Sequence, residues 1–145
     1  MADAVAALPG RTVCVVGDAM LDRYVSGAID RISPEAPVPV LLYGAERAAP
    51  GGAANVAANV ASLGGRARLA SVVGPDEAAE TLRALCRAGM VDCAGLVVDP
   101  TRATTVKSRF VALDQQVLRL DRETTGPLDR AARAAVVAAV REAIR

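Results

Sequence analysis

Apolar residues fall in short separated runs along the chain, and their spacing switches between the two-residue period of strands and the longer period of helices. Val13 to Val16, a β-branched apolar run ending at Gly17, predicts a buried strand of a parallel sheet. From Arg23 to Ala49 the pattern becomes irregular: Tyr24, Val25, Ile29, Ile32, Val38, Val40 and Leu41 are interrupted by Pro34, Pro37 and Pro39. Proline offers no ladder donor, so this stretch predicts edge strands or a lid and argues against central strands. Pro50-Gly51-Gly52 then opens AANVAANVASLG, in which Val56, Val60 and Leu63 recur at helical spacing and Gly64 ends the helix. Arg68 to Val73 predicts another strand. Asp76 is placed to cap a helix that carries Leu82, Leu85 and Cys86 and stops at Gly89. Val91 to Val98 predicts the next strand, and Thr104 to Ala112 and Gln115 to Asp121 predict two more with a tight connection at Leu113-Asp114. Pro127 suits a first helical position, followed by an apolar stripe of Leu128, Ala132, Ala135, Val136, Ala139, Val140, Ala143 and Ile144. The alternation of strand and helix implies an α/β fold, a mostly parallel sheet with covering helices.

Composition narrows what such a fold can do. The 145 residues are 52% hydrophobic, enough for the core of one domain, but with one Phe, two Tyr and no Trp that core is built from Ala, Val and Leu. Seventeen basic against sixteen acidic residues leave a net charge of +1, which argues against a broad surface for nucleic acid or an anionic membrane; the scarcity of aromatics also removes base stacking. Binding is expected to be local. No segment approaches the ~20 apolar residues of a membrane span, and residues 1–9 lack a basic stretch ahead of an apolar one, so a cytosolic location is expected. Cys14, Cys86 and Cys93 are odd in number and form no C-x-x-C pair, and histidine is absent; neither a zinc site nor a disulfide framework is expected, and the cysteines read as structural. There is no internal repeat or linker. The last helix runs to Arg145 without a capping glycine, which gives the expectation of a truncated chain.

Three constellations could carry chemistry. GDAMLDRY places Asp18 and Asp22 at and beyond the carboxyl end of the first strand, where open α/β sheets bind ligands; the two carboxylates either accept hydrogen bonds from vicinal hydroxyls or serve a turn and solvent. In PGGAANVAANVASLG, Gly51 and Gly52 precede a helix bearing Asn55 and Asn59 one turn apart. Glycines let backbone approach a ligand, and asparagine inside a helix calls for a polar partner; the alternative is close packing through small residues. The run lacks the Lys and Ser/Thr of a Walker A loop and the spacing of a dinucleotide fingerprint. In TTVKSRFVALDQQVLRLD, strand alternation puts Lys107 and Arg109 on one face, where they either grip a phosphate or form a solvated edge; whether Arg119 joins them depends on the hairpin register.

In this order the segments resemble the ribokinase-like, or phosphofructokinase B type, carbohydrate kinases. GGAAN is similar to that family's first signature. GDAMLDRY, RISPEAPVPV (Arg31 to Val40), the glycine-led helix and QQVLRLD (Gln115 to Asp121) resemble more narrowly the kinase domain of the heptose 7-phosphate kinase and heptose 1-phosphate adenylyltransferase enzymes. The likeness runs from about Arg11 onward, leaving residues 1–10 as an extension and 11–145 as the N-terminal part of a kinase domain. It implies a ribokinase-like fold with a small β-lid formed by residues of about 23–49 and 104–121. It further implies a sugar pocket of Asp18, Asp22, Gly51, Gly52 and Asn55, and a phosphate end served by Lys107, Arg109, Gln116 and Arg119. Lids of this family often pair between subunits, so a homodimer through the lid is expected.

The resemblance also implies what this stretch does not carry. Family members hold ATP, Mg2+ and a catalytic Asp in a second half, within a Gly-Ala-Gly-Asp run that forms an anion hole. After Gly89 only Gly95 and Gly126 occur here, and neither fits. The expectation is therefore a sugar-phosphate-binding half with no catalytic residue and no metal ligand of its own, in which ATP and Mg2+ do not bind well to the chain alone. Two alternatives stand beside heptose 7-phosphate: another sugar of the same family, or a non-catalytic fragment that binds sugar phosphate or pairs through its lid.

Overall fold

A computed structural model describes residues 5–145. Its strands are β1 (Thr12–Val16), β2 (Ala19–Ile32), β3 (Pro39–Gly52), β4 (Arg66–Val73), β5 (Asp92–Val98), β6 (Val106–Ala112) and β7 (Gln115–Arg122); its helices are α1 (Ala53–Ser62), α2 (Glu77–Ala88) and α3 (Arg130–Ala143). They build two sheets. One is parallel with the order β1-β4-β5, and the other is mixed with the order β3-β2-β6-β7. In β4, Ala67, Leu69 and Val73 join the core formed with Ala54, Ala57, Leu82 and Cys86, so α1 and α2 cover one face of the parallel sheet. Arg68 points the other way and donates to the Ala143 carbonyl oxygen of α3 (2.8 Å). Helices thus cover both faces, as apolar parallel strands require. Burial pushes the Cys86 thiol up to about 11, an unreactive core residue.

Four local expectations change. β1 is the edge of its sheet, so Val13 to Val15 are only partly covered and Val16 is 53% exposed. In α1 the buried face is Ala54, Ala57 and Ala61, while Val56 and Leu63 face outward. Alanine spaced three and four apart lets the helix backbone sit close to β4 and the end of β3, an approach valine would hold off. The stretch from Arg23 contains a central strand after all: β2 pairs with β3 antiparallel and with β6 parallel. All of the prolines fall elsewhere, Pro34 and Pro37 in the turn after β2 and Pro39 and Pro50 in β3, which pairs only with β2. Of the two strands only β3, at the sheet edge, contains proline. Finally, the lid is larger than the parallel sheet, with two 14-residue strands, because only two residues separate β1 from β2 and β3 runs into α1 without a break.

Short contacts fix this lid to the parallel sheet and to α2. The Ala19 amide donates to Ser71 Oγ (2.9 Å) and the Leu21 amide to the Thr105 carbonyl oxygen (2.9 Å). Leu21 and Val106 pack with Ala78 of α2. At the junction of β3 and α1, Gly52 has φ +55 and ψ −130, a conformation that side chains rarely adopt, and a Cβ there would collide with the Asp18 carbonyl oxygen. That same oxygen accepts from the Ala53 amide (2.9 Å) and ties the start of α1 to the turn after β1. Gly51 is buried beside Asp22; a Cβ on it would lie 2.7 Å from Asp22 Oδ2 and 2.8 Å from Met20 Cγ, both on side chains that can shift. Gly52→Ala is accordingly expected to destabilise the chain by more than ~2 kcal/mol and Gly51→Ala by clearly less, as urea unfolding would measure.

Asp76 joins three elements. Its Oδ1 accepts from the Ala79 amide (3.1 Å) and caps α2, and its Oδ2 accepts from the Thr104 amide (3.0 Å) and from Arg122 (2.9 Å). Burial acts to raise its pKa, but these hydrogen bonds outweigh it and hold the carboxyl below its ordinary value. A depressed folded pKa contributes stability above the unfolded value of ~3.9, and that contribution disappears as pH falls through the folded value. Asp76→Ala should cost about 2 kcal/mol at neutral pH, and the gap between wild type and variant should close below about pH 4, read by denaturant titration across pH.

Candidate functional site

The glycine junction brings Asp18, Asp22, Gly51 and Gly52 together, with Asp18 exposed in the turn after β1 and Asp22 partly buried in β2. Arg109 donates to Asp22 Oδ1 at 2.7 Å, and this bond holds the guanidinium pKa above its usual value. Asp22 is thus fixed from two sides, by Gly51 and by Arg109, while retaining acceptor capacity on a carboxylate that is 17% exposed. The Asp22 carboxylate lies where a side chain on Gly51 would begin, so a larger residue there would displace it.

Strand register decides which other candidates face this carboxylate. Asp22 pairs with Lys107, and Lys107 with Asp121; Tyr24 pairs with Arg109, and Arg109 with Arg119. Directly opposed residues share a face, so Lys107, Arg109 and Arg119 all lie on the Asp22 face, which answers the register question left open by sequence. Each cation already has an acidic neighbour. Lys107 Nζ donates to Asp121 Oδ2 (2.8 Å) and Glu123 Oε2 (3.1 Å), which raise its pKa, and Lys107 in turn is the chief cause of the lowered pKa of Asp121. Arg119 Nε lies 3.0 Å from Asp121 Oδ1, yet that oxygen accepts no aligned hydrogen bond. Arg119 is 53% exposed and the least committed of the three.

Two predicted residues stand apart. Gln116 opposes Val111 beyond a bulge, at the far end of β7, and is exposed. Asn55 is exposed on the first turn of α1, and Asn59 one turn later is exposed too, so neither is explained by a buried polar contact. A cavity of about 500 Å³ opens at the carboxyl ends of β1 and β4, and of the predicted residues it includes only Asp18. Ser71, Arg102, Glu123 and Thr124 also line it. Arg102 donates to the carbonyl oxygens of Thr124, Gly126 and Pro127 (3.1, 2.9 and 2.6 Å) and so holds one wall in place.

Sequence reasoning missed Asp121, Glu123 and Arg102. The alternation of Arg119, Asp121 and Glu123 in a strand was the available signal for the first two; an isolated loop arginine such as Arg102 gives none. Gly95 is packed in β5 against Leu69, Gly126 sits in an irregular segment, and no group of three metal-ligating side chains occurs among the described residues. No helix of the described residues is long and apolar enough to cross a membrane.

Comparison with known proteins agrees with this architecture. The model of the pfkB family carbohydrate kinases matches residues 11–144. The chain is 50% identical over 133 residues to the bifunctional protein HldE of Azorhizobium caulinodans and 52% identical over 141 residues to that of Caulobacter vibrioides. Each alignment covers 91% of this chain but 28% of the relative, so the chain spans little more than a quarter of the length of these curated relatives. Among solved structures, a fructokinase from Xylella fastidiosa with bound ATP is similar with a TM-score of 0.54 and 26% identity, over 80% of this chain and 33% of that one. A carbohydrate kinase from Agrobacterium tumefaciens shares the fold with a TM-score of 0.63 at 23% identity, over 77% of this chain and 35% of that one. The ribokinase-like α/β fold and the match along almost the whole sequence identify the chain as a member of the pfkB family of carbohydrate kinases.

Proposed function

We propose that this chain forms the sugar-phosphate-binding portion of a D-glycero-D-manno-heptose 7-phosphate kinase, an enzyme that uses ATP and Mg2+ to phosphorylate the anomeric hydroxyl in the supply of ADP-heptose for lipopolysaccharide. The observation that carries the reading is the fixed Asp22 carboxylate, set against Gly51 and next to Asp18, on a sheet face that continues into Arg109, Lys107 and Arg119. Carboxylates accept from sugar hydroxyls, and guanidinium groups suit a phosphate at the other end of the ligand. The HldE relatives, about half identical along the matched length, are in keeping with the resemblance of the motifs to the heptose 7-phosphate kinase domain. ATP and Mg2+ would be held by residues outside those described, so no step of phosphoryl transfer is assigned to these side chains. In calorimetry the chain is expected to bind heptose 7-phosphate more tightly than unphosphorylated heptose, ribose or fructose, and Asp22→Asn to weaken that binding roughly tenfold. A preference for an unphosphorylated sugar would overturn the assignment.

A second reading concerns assembly. On the face opposite Asp22, Leu118 and Leu120 are 57% and 58% exposed, and Val117 stands at the adjacent bulge. We infer that the lid pairs with a second copy through this apolar strip. Sedimentation should show a dimer that Leu120→Glu converts to monomer; a monomeric wild type would contradict it.

A further inference from the structure

One row across the lid sheet contains more positive charge than the residues so far discussed. Tyr24 of β2 pairs with Arg47 of β3 on one side and with Arg109 of β6 on the other, and Arg109 pairs with Arg119 of β7. Four opposed positions therefore read Arg47, Tyr24, Arg109, Arg119 on the Asp22 face. Both neighbouring guanidinium groups lie over the tyrosine ring, Arg47 at 3.9 Å and Arg109 at 5.3 Å from its centroid. The adjacent row, Ala49, Asp22, Lys107 and Asp121, contains the carboxylates that occupy Arg109 and Lys107.

Arg47 differs from the other two arginines. Among the described residues its side chain has no ion pair and no hydrogen bond, although it is exposed in an ordered sheet and its neighbour Glu46 reaches Arg23 instead (3.6 Å). Stacking on Tyr24 holds the guanidinium plane while leaving its N–H groups free, an arrangement that preorganises a cation for an anion it does not yet hold. Tyr24 stands two residues beyond Asp22, a displacement of about 7 Å along the strand. A ligand whose hydroxyls meet Asp22 would thus have its far end over the arginine row.

We propose that Arg47 is a specificity-determining residue which, with Arg119 and on the Tyr24 platform, binds the phosphate monoester of a phosphorylated sugar whose hydroxyls meet Asp22. This rests on the sugar-phosphate reading above and adds to it the residue that distinguishes phosphorylated from plain sugar. Arg109 stays with Asp22, so the phosphate is met by the two arginines that the acidic row leaves least engaged.

The test is calorimetry of the 145-residue chain with heptose 7-phosphate and with unphosphorylated heptose, for wild type, Arg47→Gln and Arg31→Gln. Arg31 is an exposed lid arginine outside the row, so its variant loses the same charge without losing the contact. Arg47→Gln is expected to weaken heptose 7-phosphate binding roughly tenfold and to leave heptose binding unchanged, while Arg31→Gln changes neither. Equal weakening by both variants would reduce the effect to general charge and overturn the proposal. If wild type prefers the phosphorylated sugar and Arg47→Gln keeps that preference in full, Arg47 has no such role and the sugar-phosphate reading survives. If wild type binds neither sugar, both fall together.

Discussion

The contact between the Gly51–Gly52 pair and the turn from Asp18 to Asp22 is the constraint on which the rest of the molecule depends. It closes β3 onto the start of β2, places the first turn of α1 against the end of β1, leaves no space for a side chain at Gly52, and admits one at Gly51 only if Asp22 and Met20 shift. Both sheets meet there. The Asp18 carbonyl oxygen accepts from the Ala53 amide while the residue lines the cavity, and because Gly51 has no side chain, Asp22 can sit where a Cβ would otherwise be. A backbone requirement and a ligand-facing arrangement are met by the same residues.

From that junction the lid face is organised by charge. Asp22 and Asp121 alternate with cations across the sheet, and each carboxylate orients at least one of them. Such pairing costs rotamer freedom, and exposed ion pairs recover little of it. Its consequence is geometric: Lys107 and Arg109 are held in place while Arg47 and Arg119 keep donors available. The positive row and the acidic row next to it divide one surface into two parts, which the proposed reading assigns to phosphate and to hydroxyls respectively.

Much of this was legible in the sequence. Asp76 as a cap, Gly64 and Gly89 as helix ends, and the tight Leu113-Asp114 turn follow from local backbone chemistry, and the turn residues indeed have φ of 49 and 61. The valine stripe misled for α1 because two apolar phases coexist in AANVAANV, and only packing distance selects alanine. The prolines misled for β2 because they mark its partner and its turn. Arg47 could not be read at all: its place beside Tyr24 depends on a long hairpin whose register shifts at Ser26/Gly27 and again at Ile29/Arg31. The counter-ions of Lys107 and Arg109 were overlooked because the cations were considered without the acids that alternate with them.

In the proposed binding mode, sugar hydroxyls meet Asp18 and Asp22 while a phosphate lies over the row of arginines on the lid. A crystal structure of the chain grown with heptose 7-phosphate tests it most directly. The expected result is hydroxyl oxygens within hydrogen-bond distance of the Asp18 and Asp22 carboxylates and the phosphate within reach of Arg47 and Arg119. A ligand seated instead in the cavity beside Val136 and Leu128, with its phosphate away from the lid, would contradict it.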